Sequence, residues 1–134
     1  MSFQATLQIE DKTFNIISFK YASGRDHDRT GRVSSEMLGI RIDLLLEAKP
    51  ETVLLHMWAN TNYDVKSGTI TFKQRNSDQK QAEFKFEEGY IVDIMLDFSN
   101  IGEAPLTERV VIYANKMEYS SQGFMAANEM FWPA

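Results

Sequence analysis

At 134 residues and a net charge of −5, the chain has room for one domain and makes no electrostatic case for nucleic acid or an anionic membrane. Hydrophobic residues make up 43%, with nine Phe and five Tyr among them, which suits a packed β core and not disorder. There is no cysteine, which excludes a disulfide framework, thiolate chemistry and cysteine-ligated metal while leaving the compartment open.

The first residues, MSFQATLQIEDK, carry neither the basic nor the apolar region of a Sec signal. No apolar run approaches the ~20 residues of a membrane helix. Synthesis in the cytoplasm is expected, with any export by another route. From Phe3 to Glu10 the pattern alternates, Phe3, Ala5, Leu7 and Ile9 against Gln4, Thr6, Gln8 and Glu10. Asp11 and Lys12 make a short turn, and Thr13 to Ser23 reads as a second strand forming a hairpin with the first. Met37 to Glu47 alternates again, and the unbroken Leu44-Leu45-Leu46 predicts a strand covered on both faces.

Pro50 suits a first helical turn, Glu51 favours the positive end of the dipole, and Val53, Leu54, Met57 and Trp58 recur at helical spacing. After a polar exit from Asn60 to Ser67, four further strands are expected: Gly68 to Arg75, Ala82 to Gly89, Tyr90 to Phe98 and Leu106 to Glu118. In the third of these, Tyr90, Val92, Ile94, Leu96 and Phe98 oppose Asp93 and Asp97. Turns are expected at Asn76 to Gln81 and Asn100 to Pro105. The whole reads as mainly β: a small antiparallel barrel or sandwich of about seven strands or more with one short α-helix.

Between the second and third strands lies Gly24 to Ser35, GRDHDRTGRVSS, a long charged loop. Loops of this length inside a compact β domain are usually functional or disordered. Arg25, Arg29 and Arg32 alternate with Asp26 and Asp28 around His27, Thr30 and Gly31. Such mixed charge suits a salt-bridged contact with another chain, arginine being enriched at interfaces, or else a solvated loop. The tail, SSQGFMAANEMFWPA, sets Phe124, Met125, Met130, Phe131 and Trp132 near the end of the chain, where they fold back on the body or dock on a neighbour; folding back is the simpler reading.

Catalysis needs an activated nucleophile, paired carboxylates or a metal, and the sequence offers none of these. Asp26-His27-Asp28 has the residue types of a metal site, but adjacent residues rarely converge on one ion. His56 sits beside Met57 and Trp58 and reads as a partly buried or interfacial imidazole. Asp93 and Asp97 share a face too far apart to pair, and read as a solvated or lumen-facing acidic row. No P-loop, dinucleotide fingerprint or nucleophile elbow is present, and Gly24 and Gly31 precede a strand, so a phosphate cradle is not expected. The expectation is no enzyme, no cofactor and no metal.

The run from Tyr21 to Ser34, with Asp28, Thr30-Gly31-Arg32 and Ser34, followed by Gly39, resembles the Hcp (TssD) tube proteins of type VI secretion systems, in the variety found in Bacteroidetes. The resemblance continues through Trp58, Gly68-Thr69-Ile70, Phe72, Phe84, Phe86, Tyr90, Phe98 and Pro105-Leu106, spanning Phe3 to about Tyr119. Val33 stands where the family pattern has proline, and the tail beyond Tyr119 matches only in an aromatic near its end, Trp132.

The resemblance implies one Hcp-like β-barrel domain over residues 1–134, with 119–134 a tail of unassigned role. It implies hexameric rings that stack into a hollow tube, propelled by a contractile sheath behind a VgrG-like spike, with a lumen open to small effectors. The protein would assemble in the cytoplasm and leave through the apparatus. The long loop, Arg25 to Arg32, would reach a neighbouring subunit or ring. Two other readings stand beside this: a phage-like tail-tube protein, and a monomeric barrel holding a small ligand.

Overall fold

Strand alternation and one short helical segment account for the architecture of the computed structural model, which describes residues 3–27, 33–61, 64–74, 80–100, 106–121 and 124–129. Its elements are β1 (Phe3–Ile9), β2 (Lys12–His27), β3 (Val33–Glu47), a 3-10 turn (Pro50–Thr52) leading into α1 (Val53–Ala59), β4 (Lys66–Gln74), β5 (Lys80–Phe98), β6 (Leu106–Ala114), β7 (Lys116–Ser121) and β8 (Phe124–Glu129). The sheet order is β4-β1-β2-β3-β6-β5-β7-β8, and a further β4–β5 ladder closes it into a barrel. Closure removes two sheet edges that would otherwise invite uncontrolled pairing.

Every ladder is antiparallel, so the chain runs back and forth between two barrel ends. One end holds the β1–β2 turn, the end of β3, α1 and the ends of β5 and β6 that join them. The other holds the far end of the β2–β3 hairpin and the β7–β8 connection. The interior is filled by Leu7, Phe14, Ile40, Ile42, Leu44, Leu46, Ile70, Phe84, Phe86, Val110, Ile112 and Ala114, all buried. Each large apolar side chain removed from water contributes roughly 1.5–3 kcal/mol before conformational entropy is counted.

Several boundaries differ from the sequence expectation. Ala82–Gly89 and Tyr90–Phe98 form one strand, β5, because pairing passes straight through their junction: β4 and β7 flank its first half and β6 its second. The junction is marked by a positive φ of 55° at Glu88 and a register shift between Ile91 and Asp93. That shift inserts one residue and reverses the alternation. Ile91 and Ile94 therefore pack on the core, while Val92, expected beside Ile94, is 42% exposed. The expected strand from Leu106 to Glu118 breaks at Asn115 into β6 and β7. Leu44 and Leu46 are fully buried and Leu45 is half-buried, so the outer face of β3 is only partly covered within one chain.

The strands flanking the expected long loop run into it. β2 continues to His27 and β3 begins at Val33, with Arg25 opposite Met37 and His27 opposite Val33. The ladder is irregular, shifting register between Ser23 and Arg25 and again between Arg25 and His27. β3 meets β6 only from Ile40 onward and β1 meets β2 only as far as Ile16, so the hairpin leaves the barrel as an arm. The turns expected at 76–81 and 100–105 fall largely outside the described residues. In the tail, β8 pairs with β7 from Ser121↔Phe124 to Lys116↔Glu129, while Met130, Phe131 and Trp132 lie outside the described residues.

Candidate assembly surfaces

The two barrel ends are sealed by different chemistry. At the arm end an aromatic chain fills the mouth. Phe19 packs edge-on against Phe72 and Phe84 with centroids 5.4 and 5.5 Å apart, and Phe84 contacts Tyr21 and Tyr119 at 4.9 and 6.4 Å. Both tyrosines are 41% exposed, so the core ends here in an amphipathic rim.

At the other end, α1 closes the barrel. Leu55 and Trp58 turn inward at 2% and 3% exposure, and Trp58 donates its indole N–H to the Asp64 carbonyl at 2.9 Å. His56 faces β6 instead, its Nε2 lying 2.8 Å from Glu108 Oε1. Glu108 is 98% buried by its 2% exposure, between Leu46 and Leu96 on the neighbouring ladders, and its Oε2 has no partner among the described residues. A buried carboxylate needs a counter-charge or a proton, and His56, a third exposed, is the group that meets it. The partly buried imidazole expected at position 56 is thus observed. Its partner was missed, although Glu108 occupies the apolar phase of β6 shared with Val110 and Ile112.

Surface ion pairs brace the same end. Lys66 Nζ meets Glu10 Oε1 at 2.8 Å and Asp64 Oδ2 at 3.7 Å. The Glu10 hydrogen bond, with a smaller contribution from Asp64, raises the Lys66 pKa above the ordinary lysine value. Near the arm end, Glu83 is gripped by Lys80 at 2.7 Å and Lys85 at 3.3 Å, and its carboxyl is held below the usual range, chiefly by the Lys80 hydrogen bond.

Of the residues singled out in the long loop, Arg25, Asp26 and His27 stand at the end of β2, in the arm. Asp28, Arg29, Thr30, Gly31 and Arg32 lie outside the described residues. Asp93 and Asp97 are exposed, opposite Val111 and Thr107, and about 13 Å apart at strand spacing. Among the described residues no group of three or more His, Asp or Glu side chains could hold a metal ion, and no helix is long and apolar enough to cross a membrane.

What the surface offers in abundance is contact. Val53, Leu54 and Met57 project from α1 at 60%, 40% and 59% exposure. Met95, Leu96, Phe98 and Leu106 do so from the ends of β5 and β6 at 56%, 54%, 69% and 40%. Apolar clusters of this kind rimmed by charge mark protein interfaces.

Comparison with known proteins agrees with this emphasis on contact. A family model described as Hemolysin coregulated protein Hcp (TssD) matches residues 1–129. An Hcp structure from Flavobacterium johnsoniae is 30% identical with a TM-score of 0.78, covering 93% of this chain and 99% of that one. An Hcp structure from Salmonella typhimurium shares the fold at 8% identity and a TM-score of 0.73, covering 94% and 92%. A chain in the sheath-tube complex of an extracellular contractile injection system, PVC, shares it at 13% identity and 0.63, covering 88% of each. No curated relative matches the sequence.

Proposed function

The chain belongs to the Hcp (TssD) family, and from that premise we infer that it is a structural tube protein of a type VI secretion system, working by self-assembly. Its rings are hexameric and stack into a hollow inner tube, which a contractile sheath propels behind a VgrG-like spike with small effectors in the lumen. Assembly takes place in the cytoplasm and export proceeds through the apparatus itself. The loop segment Arg25 to Arg32, which the arm strands β2 and β3 flank, is what reaches the neighbouring subunit or ring, and the reaction it serves is association and not catalysis.

The observation that carries this reading, beyond family membership, is the filled barrel. Leu7, Ile42, Leu44, Ile70, Val110 and Ile112 are all at 0% exposure. A ligand-binding barrel of comparable size keeps its interior hollow, so the small-ligand reading loses its site. Function then falls to the outer surface, and an arm leaving one end of the barrel supports contacts that repeat along an axis without closing.

Negative-stain imaging of the purified protein, with its mass by light scattering, tests the proposal. Ring particles of six copies are expected, and a strict monomer at high concentration would overturn it. Replacing Arg25, Arg29 and Arg32 together with Glu should leave rings intact and abolish stacking. Unimpaired tubes from that variant would remove the arm from the contact.

A further inference from the structure

We propose that the end of the β5–β6 pair on one copy is a knob that seats in a groove beside α1 on the next copy, joining copies side by side. The inference rests on the tube reading, since it names the surfaces through which copies of this chain meet.

The knob follows from the β5–β6 register. Ile94 opposes Val110, Leu96 opposes Glu108 and Phe98 opposes Leu106, so all six share the face that forms the core further in. Cover ends at Glu108, beneath His56. Beside it Leu96, and beyond it Phe98 and Leu106, emerge at 54%, 69% and 40% exposure. Phe98 is the most exposed large apolar side chain among the described residues.

The groove lies between α1 and the β1–β2 turn and has a volume of about 200 Å³. Phe14, Leu55 and Trp58 form its apolar floor, at 1–3% exposure, and Leu54 and Met57 form its rim. A cavity of about 150 Å³ accepts a benzene molecule, so this one accepts a phenyl ring.

Charge points to the same occupant. Asp97, next to Phe98, is exposed and forms no ion pair among the described residues. Lys12 lines the groove and likewise forms none, whereas Lys66 across from it is held by Glu10 and Asp64. Seating Phe98 brings Asp97 up to the rim that carries Lys12.

Helix geometry sets the direction of the contact. Successive residues of α1 are turned by about 100°, so His56, which faces β6, lies roughly opposite Leu54, which lines the groove. Knob and groove therefore occupy opposite flanks of α1. Two copies cannot exchange knobs reciprocally, and the contact repeats head to tail, as a ring requires.

The chain has no cysteine, so cross-linking has no background. Full-length Asp97→Cys and Lys12→Cys variants, which keep both knob and groove, are mixed under mild oxidation and run on a non-reducing gel. The mixture should give covalent dimer many-fold above either variant alone. Phe98→Ser should raise the concentration needed for ring formation at least tenfold, and Phe98→Leu should leave it within about threefold of the original protein. If the unaltered protein forms rings, but the mixture cross-links no better than the single variants or Phe98→Ser assembles normally, this contact is wrong and the tube reading stands. If the unaltered protein is monomeric throughout, the tube reading fails and the contact with it.

Discussion

The ring of Phe86 is wedged between two glycines, and this makes Gly68→Ala an informative perturbation. Gly68 on β4 pairs directly with Phe86 on β5 and with Ile9 on β1, near the end of the barrel that α1 closes. A Cβ at position 68 would stand 2.6 Å from Phe86 Cζ and 2.7 Å from Cε1. The ring has little room to retreat, because its opposite edge packs so closely on the Gly89 backbone that an added Cβ there would also stand 2.9 Å away. Phe86 itself is 1% exposed.

Overpacking of this kind costs about 1–3 kcal/mol, while replacing glycine by alanine at an unstrained backbone contributes about 0.4–1 kcal/mol through the unfolded chain. The net is about 1–2 kcal/mol of destabilisation. With an unfolding entropy of about 2.1 cal/mol/K per residue over 134 residues, Tm should fall by roughly 4–7 °C. Thermal denaturation at one fixed protein concentration measures this, since assembly makes Tm concentration-dependent. Pairing Gly68→Ala with Phe86→Leu provides the control, because the smaller side chain vacates the space and the alanine should then be neutral or favourable. A Gly68→Ala protein as stable as the original, or an equal penalty in the Phe86→Leu background, would refute the reasoning.

Three further outcomes are expected. Removing His56 as His56→Ala leaves the buried Glu108 carboxyl without its partner and should cost about 1–3 kcal/mol, the pair being only partly buried, whereas Glu108→Leu should cost little or stabilise; chemical denaturation of both variants checks the asymmetry. The Glu83 contribution is present above the unfolded glutamate pKa and is lost as pH falls through its lowered folded value, while that of Lys66 is present below the unfolded lysine pKa and is lost as pH rises through its raised folded value. Each is worth about 1 kcal/mol or less at these partly exposed positions, so Glu83→Gln and Lys66→Met should flatten the acid and alkaline limbs of a stability–pH profile only slightly, and less in high salt. Glu88→Gly should leave Tm unchanged or raise it by a few degrees, because the positive φ of 55° suits glycine and strains glutamate.

The residues that carry the barrel were legible because alternation is a local property. Leu7 and Ile9, Ile40, Ile42, Leu44 and Leu46, Phe84 and Phe86, and Val110, Ile112 and Ala114 point inward as their spacing predicts, since a strand presents every second side chain to one face whatever its partners. Legibility failed where a partner strand overrode local pattern. Nothing local to Ile91-Val92-Asp93 signals the extra residue that turns Ile91 inward and Val92 out; the pairing of Ile91 with Ile112 and of Asp93 with Val111 does so. Asp93 and Asp97, expected as a solvated or lumen-facing row, are exposed, whereas the anomaly of Glu108 in an apolar phase passed unnoticed because its partner lies 52 residues away.

The sequence by itself determined the fold class and the family resemblance, both of which rest on residue type and order along the chain. Tertiary structure alone decided that β4 closes on β5, that α1 seals one end through Trp58 and His56 while aromatic rings seal the other, and that the β2–β3 segment leaves the barrel as an arm. These are long-range pairings. Their energy depends on which surfaces meet after the chain has turned back on itself, and no window of neighbouring residues contains that information.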